Sequence, residues 1–441
     1  MPQPQKEATA EHAGLQARQL AVYLLKAVLR DKQPFDDAFA ATSAKTAFAD
    51  LEFRDRAFAR AIAATSLRRL GQIEDLLRRF IEKPLAAESF EARFILIAAT
   101  AQLVFMEVAP HAAISRAVDQ AKASRTAHRY AGLVNAVLRK VSANAAAILA
   151  QQDAATLNTP AWLFQRWGAH YGEDTARKIA AAHLEEPPLD LSVKADAGAW
   201  AARLSGALLP WGTVRVSVKG RIEDIDCYAE GAWWVQDAAA ALPALLLGDV
   251  SGKRVADLCA APGGKTAQLA ARGAHVTAVD LSASRLRRLK ENLARLNLSA
   301  GVVQAHADEW TSPEPFDAVL LDAPCSATGT IRRNPDIPYL KFAADIATLA
   351  AVQARLLTHA LTLLKPGGHL VYSTCSLEPE EGEAQIQKLL AAHAEMALAP
   401  IRADELGVPP EIVTPAGMLR TLPFQAGGMD GFFAARLTVK C

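Results

Sequence analysis

The 441-residue chain carries 48 Lys and Arg against 47 Asp and Glu, and it is 51% hydrophobic and 22% charged. That is the usage of a folded soluble protein and excludes a disordered or collagen-like chain; at about 150 residues per domain, two or three cores are expected. The net charge of +1 hides an asymmetry, because residues 1–150 hold 21 basic and 15 acidic residues and residues 151–441 hold 27 and 32, so the front is the half suited to a polyanion.

The opening MPQPQKEATAEHAG has no apolar signal core. No apolar run approaches the roughly 20 residues needed to cross a bilayer, the longest being broken by Thr100 and Gln102 or by Pro243. A cytoplasmic protein without a membrane partner is expected. From Leu15 to about Ala147 apolar residues recur at helical spacing, as in Ala21, Leu24, Leu25 and Val28, which predicts an all-helical bundle over residues 1–147. Its basic residues recur a turn apart or in pairs (Arg56 and Arg60, Arg125 and Arg129, Arg68–Arg69, Arg78–Arg79, Arg139–Lys140), a pattern open to two readings, solvated faces or RNA contact.

The chain changes character near Pro160–Trp167, and strands with period-2 alternation are expected at Leu189–Val193 and Val214–Val218. Residues 148–235 read as a small α/β connector. Beyond it, over 236–441, strands alternate with helices: Val255–Cys259, Val276–Asp280, Val302–Ala305, Ala318–Asp322 and Leu370–Tyr372 are separated by helices at Ser284–Leu296 and Asp345–Leu364, with a turn at Leu363–Gly368 and a further helix at Glu380–His393. Such alternation predicts a mostly parallel, doubly wound sheet with its ligands at the carboxyl ends of the strands.

The stretch Asp257-Leu-Cys-Ala-Ala-Pro-Gly-Gly-Lys-Thr266 joins a strand to a helix, where glycines admit close backbone approach and the helix offers free N–H groups. A phosphate-binding P-loop would need glycine at position 259, which is Cys, and G-x-G-x-x-G is absent. A nucleoside cofactor remains. Asp280, 17 residues past Gly263, is placed to accept from ribose hydroxyls, and Asp308 to meet an adenine; the alternative, less favoured for both and least for Asp280, is a cap on the following helix. A positively charged sulfonium suits several carboxylates better than a pyrophosphate does.

The five cysteines, Cys227, Cys259, Cys325, Cys375 and Cys441, contain no C-x-x-C pair, so neither a disulfide framework nor a metal site is expected. Cys227, Cys259 and Cys441 read as inert small apolar residues. Cys325 and Cys375 each follow a strand end, and if those strands are neighbours the two thiols address one ligand. Such a pair suits methylation at C5 of a pyrimidine: one thiolate adds to C6, and a second group then assists release. Asp322 is placed to stabilise the adduct at the edge of the base, and Lys265 to favour a thiolate.

DLCAAPGGKT at 257–266, LLDAPCSATGTIRRNPDI at 320–337 and VYSTCSLEPEEGE at 371–383 resemble three motifs of the S-adenosylmethionine-dependent RNA 5-methylcytosine methyltransferases of the Nol1/Nop2/Sun family. EEPPLDLSV at 185–193, VQDAAA at 235–240 and GMDGFFAARL at 428–437 extend the likeness over about residues 150–441. The front, with FRDRAFARAIAATSLRRL at 53–70 and LVNAVLRK at 133–140, is similar to the NusB-like RNA-binding domain. The combination resembles the bacterial Fmu/Sun/RsmB type.

The resemblance implies a helical NusB-like domain and a class I Rossmann-like methyltransferase domain. It makes Cys375 the nucleophile and Cys325 the residue assisting release. S-adenosyl-L-methionine would be held by Cys259, Ala260, Ala261, Pro262, Gly263, Gly264, Lys265, Asp280, Asp308 and Asp322. It implies 16S ribosomal RNA as partner, a target cytosine at about nucleotide 967, a flipped target base and a monomeric enzyme. Arg332 and Arg333 read as phosphate contacts or as a solvated loop. The rival classes are a non-catalytic RNA-binding or antitermination-like protein and a P-loop nucleotide hydrolase.

Overall fold

The computed structural model describes residues 4–83, 85–86, 89–218 and 220–440, with side chains from residue 14 onward; Cys441 lies outside the described residues. The chain divides into two compact units, one of residues 1–185 with 331–341 and the other of 186–330 with 342–441. No helix among the described residues is long and apolar enough to cross a membrane.

The first unit is helical. Its core is drawn chiefly from the helices Pro4–Leu29, Phe53–Arg68, Phe90–Phe105 and Ala131–Leu149, whose inward residues include Leu20, Leu24, Leu25, Ile62, Leu96, Val134 and Leu138. These positions recur at three- and four-residue intervals, the stripe a helix buries. The change of character read at Pro160 is a helix start. Pro160 precedes the helix Ala161–Tyr171, and Glu173–Ala182 follows. Proline is well tolerated at a helix beginning, where the backbone N–H it lacks has no helical partner; the strands begin only after Pro187–Pro188.

Residues 331–341 complete this unit. The Asp336 carboxylate accepts from the Phe35 backbone N–H at 2.9 Å, the Tyr339 hydroxyl donates to the Leu67 carbonyl at 2.8 Å, and Arg68 donates to the Arg332 carbonyl at 3.0 Å. Arg332, expected on a phosphate or in solvent, is 2% exposed, a correction: its loop packs into a core. Arg69 donates to the Leu184 carbonyl and to Gln72, so the pair Arg68–Arg69 holds this unit together, whereas Arg125, Arg129, Arg139 and Lys140 are exposed.

The second unit holds two sheets. The smaller is antiparallel and comprises β1 (Leu189–Val193), β2 (Ala207–Leu208), β3 (Val214–Val216) and β4 (Trp233–Val235), in the order β2-β3-β1-β4. Buried Asp190 on β1 takes two of the three guanidinium nitrogens of Arg215 at 2.7 and 2.9 Å, and the same guanidinium donates to the carbonyls of Ala426 and Gly428. One arginine thus ties the small sheet to the loop before the last strand.

The larger sheet contains β5 (Arg254–Leu258), β6 (His275–Asp280), β7 (Gly301–Gln304), β8 (Phe316–Asp322), β9 (Leu364–Thr374), β10 (Met396–Leu398), β11 (Leu419–Thr421) and β12 (Phe432–Val439). Its order is β10-β12-β9-β8-β5-β6-β7, with β11 also on β12. The strands β5 to β9 are parallel, and β12 runs antiparallel to β9. The near-continuous apolar runs follow from helices covering both faces. The turn expected at Leu363–Gly368 is instead the start of the 11-residue β9; Gly367 has φ +73°, and the pairing with β8 shifts register between Phe316 and Ala318. The glycine pair is absorbed as an irregularity within a strand, the usual meaning of glycine there.

Candidate active site

Because β5, β6, β8 and β9 are parallel, their carboxyl ends deliver Cys259, Asp280, Asp322 and Cys375 to one edge of the sheet. At β5 the backbone makes a tight turn: Cys259 has φ +59°, Gly263 has φ +101°, and the helix Gly264–Ala271 starts immediately after. A Cβ on Gly263 would lie 2.8 Å from the Leu289 side chain, so the residue must be glycine on two grounds, conformation and space.

Asp280 is built into this turn. One carboxylate oxygen accepts from the Ala261 N–H at 3.1 Å and the other from the Ser282 N–H at 2.9 Å. The first of these, Oδ2, also faces the Arg285 guanidinium at 3.6 Å, while Oδ1 keeps a second lone pair for a ligand hydroxyl. Asp308 is part-buried and pairs with Arg355 at 3.5 Å. Burial, with the charges of Asp280 and Asp322, pushes the Cys259 thiol up to about 12, so it stays a neutral thiol.

A cavity of about 370 Å³ opens at the loop, lined by Ala260 to Lys265 and by Gln236, Asp237, Asp257 and Asp322. That volume falls within the range of small-molecule sites. Asp257 was not singled out by sequence reasoning beyond its place in the motif. It is fully buried, Oδ2 accepts the Thr266 hydroxyl at 2.5 Å, and Oδ1 has no partner. Burial pushes its carboxyl up to about 7. An unpartnered buried carboxylate oxygen, further carboxylates and a glycine turn fit a ligand carrying a cationic amine or sulfonium.

Lys265 and Asp322 lie together: Nζ sits 2.7 Å from Asp322 Oδ2 and 4.9 Å from the centre of the Phe432 ring. Ser373 donates to the other Asp322 oxygen at 2.9 Å. The Lys265 ammonium therefore keeps Asp322 company; its ion pair is with that carboxylate.

The two cysteines meet. Asp322 on β8 is in register with Ser373 on β9, and the chains continue so that Cys325 Sγ lies 3.5 Å from Cys375 Sγ. The hydrogen bond to Cys375, then burial, then the charges of Cys375 and Glu381 raise the Cys325 pKa well above the ordinary thiol value. These surroundings favour the protonated thiol at Cys325. The Gly329 N–H donates to the Cys375 carbonyl at 3.0 Å, and a Cβ on Gly329 would lie 1.9 Å from the Gly431 carbonyl oxygen.

Residues 244–438 match the family model described as 16S rRNA methyltransferase RsmB/F, and residues 15–143 match that of the NusB family. The chain is 37% identical over 412 residues to the ribosomal RNA small subunit methyltransferase B of Sodalis glossinidius, covering 88% of this chain and 91% of that one. Among solved structures, PH0851 superimposes with a TM-score of 0.75 at 24% identity, over 96% of this chain and 98% of that one. A methyltransferase homolog protein from Pyrococcus horikoshii gives 0.52 at 30% identity, over 63% and 94%.

Proposed function

Because the chain belongs to the RsmB/F family of S-adenosylmethionine-dependent small-subunit rRNA methyltransferases, we propose that its product is 5-methylcytosine in 16S ribosomal RNA. The observation that carries this is the meeting of Cys325 and Cys375 at 3.5 Å beside a glycine-rich cofactor turn. Methylation at nitrogen or oxygen needs no thiol, whereas C5 of cytosine is too weak a nucleophile until a thiolate adds to C6.

In this reading the Cys375 thiolate forms a bond to C6 of a base flipped from its stack. C5 gains the electrons of the 5,6 double bond and attacks an electrophilic methyl; S-adenosylmethionine, held at the turn from Cys259 to Lys265, would supply that methyl, its sulfonium becoming a neutral thioether. Asp322, held by Lys265 and Ser373, supports the base edge as charge develops. The C5 proton is then removed, the double bond re-forms and the Cys375–C6 bond breaks.

Cys325 serves this last phase. Cys375 both hydrogen-bonds Cys325 and repels a second negative charge beside it, and once Cys375 is a neutral thioether that repulsion is gone. The second thiol becomes easier to ionise when a base is needed. Cys259 to Lys265, Asp280, Asp308 and Asp322 are assigned to the cofactor, with Asp257 added for its unpartnered oxygen. Residues 1–147 are assigned to RNA capture, 148–235 to the connector and 236–441 to methyl transfer. The target is the cytosine named by the resemblance, in cytoplasmic rRNA, with a monomer as the working enzyme.

The test is direct. Cys375→Ala is expected to give neither 5-methylcytosine nor a denaturation-resistant protein–RNA species, while Cys325→Ala accumulates that species and turns over slowly. Equal methylation by Cys375→Ala and wild type overturns the reading. Bisulfite mapping of 16S rRNA from cells with and without the protein identifies the nucleotide.

A further inference from the structure

The proposed chemistry uses two sulfur atoms without accounting for what brings them together. Each cysteine is followed by a serine, and both serines are gripped by one carboxylate. Glu381 is wholly buried. Its Oε1 accepts from the Ser326 backbone N–H at 2.9 Å and from Gln353 Nε2 at 3.0 Å; Oε2 accepts from the Ser376 hydroxyl at 2.5 Å and from the Ser326 hydroxyl. Four donors match the four lone-pair positions of an ionised carboxylate, and charge-assisted bonds of this kind are short and strong.

The grip extends to the residues before each cysteine. The Glu381 carbonyl accepts from the Tyr372 hydroxyl at 2.7 Å and from Thr374 at 3.2 Å, just ahead of Cys375. Gln353 uses the second hydrogen of its amide on the Pro324 carbonyl at 2.9 Å, just ahead of Cys325. Arg420, paired with Glu383, donates to the Ser376 carbonyl at 2.6 Å. Both cysteine turns are therefore fixed on either side of the sulfur, chiefly by groups that converge on Glu381.

We propose that Glu381 is the positioning residue of the cysteine pair: by holding Ser326 and Ser376 on a single carboxylate it sets the separation of the Cys325 and Cys375 sulfurs. It acts through the serines. Its consequence for turnover rests on the cysteine roles proposed above. A negative charge on Glu381 also helps keep the proton on Cys325, the same direction in which the turn geometry works.

The test reads sulfur alignment without methylation. In the full-length protein, the Cys325–Cys375 disulfide is equilibrated against a glutathione redox buffer and quantified by alkylation and mass spectrometry of the peptides. Glu381→Gln keeps the shape but presents an NH2 where an acceptor is needed, and should lower the effective concentration of the pair by about tenfold. Ser376→Ala removes a single donor and should lower it about threefold; if Glu381→Gln does not fold, this variant decides alone.

Folded variants with the wild-type disulfide equilibrium overturn the proposal, whatever their methylation. A lowered equilibrium together with active Cys375→Ala leaves Glu381 as the aligning group and removes the catalytic reading instead. With both readings correct, Glu381→Gln lowers kcat and leaves KM for the cofactor unchanged.

Discussion

The turn after β5 and the turns after β8 and β9 stand at the same edge of one sheet, yet they are made in opposite ways. The first is shaped by backbone: left-handed conformations at Cys259 and Gly263, a carboxylate taking two N–H groups, and a glycine that tolerates no Cβ. The second pair is shaped mainly by side chains, with a buried acid, an amide and two serine hydroxyls closing on one another, and with one glycine, Gly329, kept for space against the Gly431 carbonyl. A site that receives a cofactor along its backbone depends on φ and empty space. A site that aligns two sulfur atoms depends on a hydrogen-bond network, in which each missing member leaves another unsatisfied.

That contrast breaks if one kind of damage reaches both sites. The largest effect is expected for Gly329→Ala, whose Cβ would meet the Gly431 carbonyl oxygen at 1.9 Å and push the chain that donates to the Cys375 carbonyl. Methylation should fall by about a hundredfold while cofactor affinity, measured by calorimetry, stays within about twofold; an equal loss in both would dissolve the distinction. Gly263→Ala should do the reverse. A left-handed non-glycine residue against Leu289 should weaken cofactor binding by about tenfold, with the Cys325–Cys375 disulfide equilibrium unchanged.

The smallest effect sharpens the electrostatic side of the comparison. The folded chain holds a proton on Asp257 up to about pH 7, whereas the unfolded chain releases it near 3.8. More protons are bound in the folded state across that window, so this residue makes stability fall as pH rises through it. Asp257→Asn removes the contribution: its melting temperature should gain about 2–4 °C relative to wild type at pH 8 and little at pH 4. An identical pH profile for both proteins would mean that the carboxyl titrates normally.

Much of this was legible in the sequence because it rests on local patterns. The strands read from Leu189, Val214 and Val255 followed from alternation or short apolar runs, the last starting one residue earlier, at Arg254, and the glycine turn from its position between a strand and a helix. The proximity of Cys325 and Cys375 was conditional on β8 and β9 being neighbours, which strand-by-strand reading cannot supply. Glu381 was illegible for a different reason. LEPEEGE at 377–383 reads only as part of a motif and of a helix starting at Glu380, with nothing to single out one acid, yet Glu378 and Glu381 are buried while Glu380 is only part-buried. What turns Glu381 inward is a set of donors at residues 326, 353 and 376, distant in sequence and invisible to any local period. At Pro160 only a change of character was legible, and the structure shows it to be a helix start.

The passage of residues 331–341 through the helical unit makes the two units inseparable at a single peptide bond. A protein ended after Glu185 would have a helical half stripped of the hydrogen bonds that Asp336 and Tyr339 supply to Phe35 and Leu67. The complementary fragment would carry that strand of chain with no hydrophobic home for Ile331 and Ile337. Swapping the helical half for another, by nature or by design, therefore requires changing a loop that begins six residues after Cys325, and modularity in this chain is a matter of two exchanges made together.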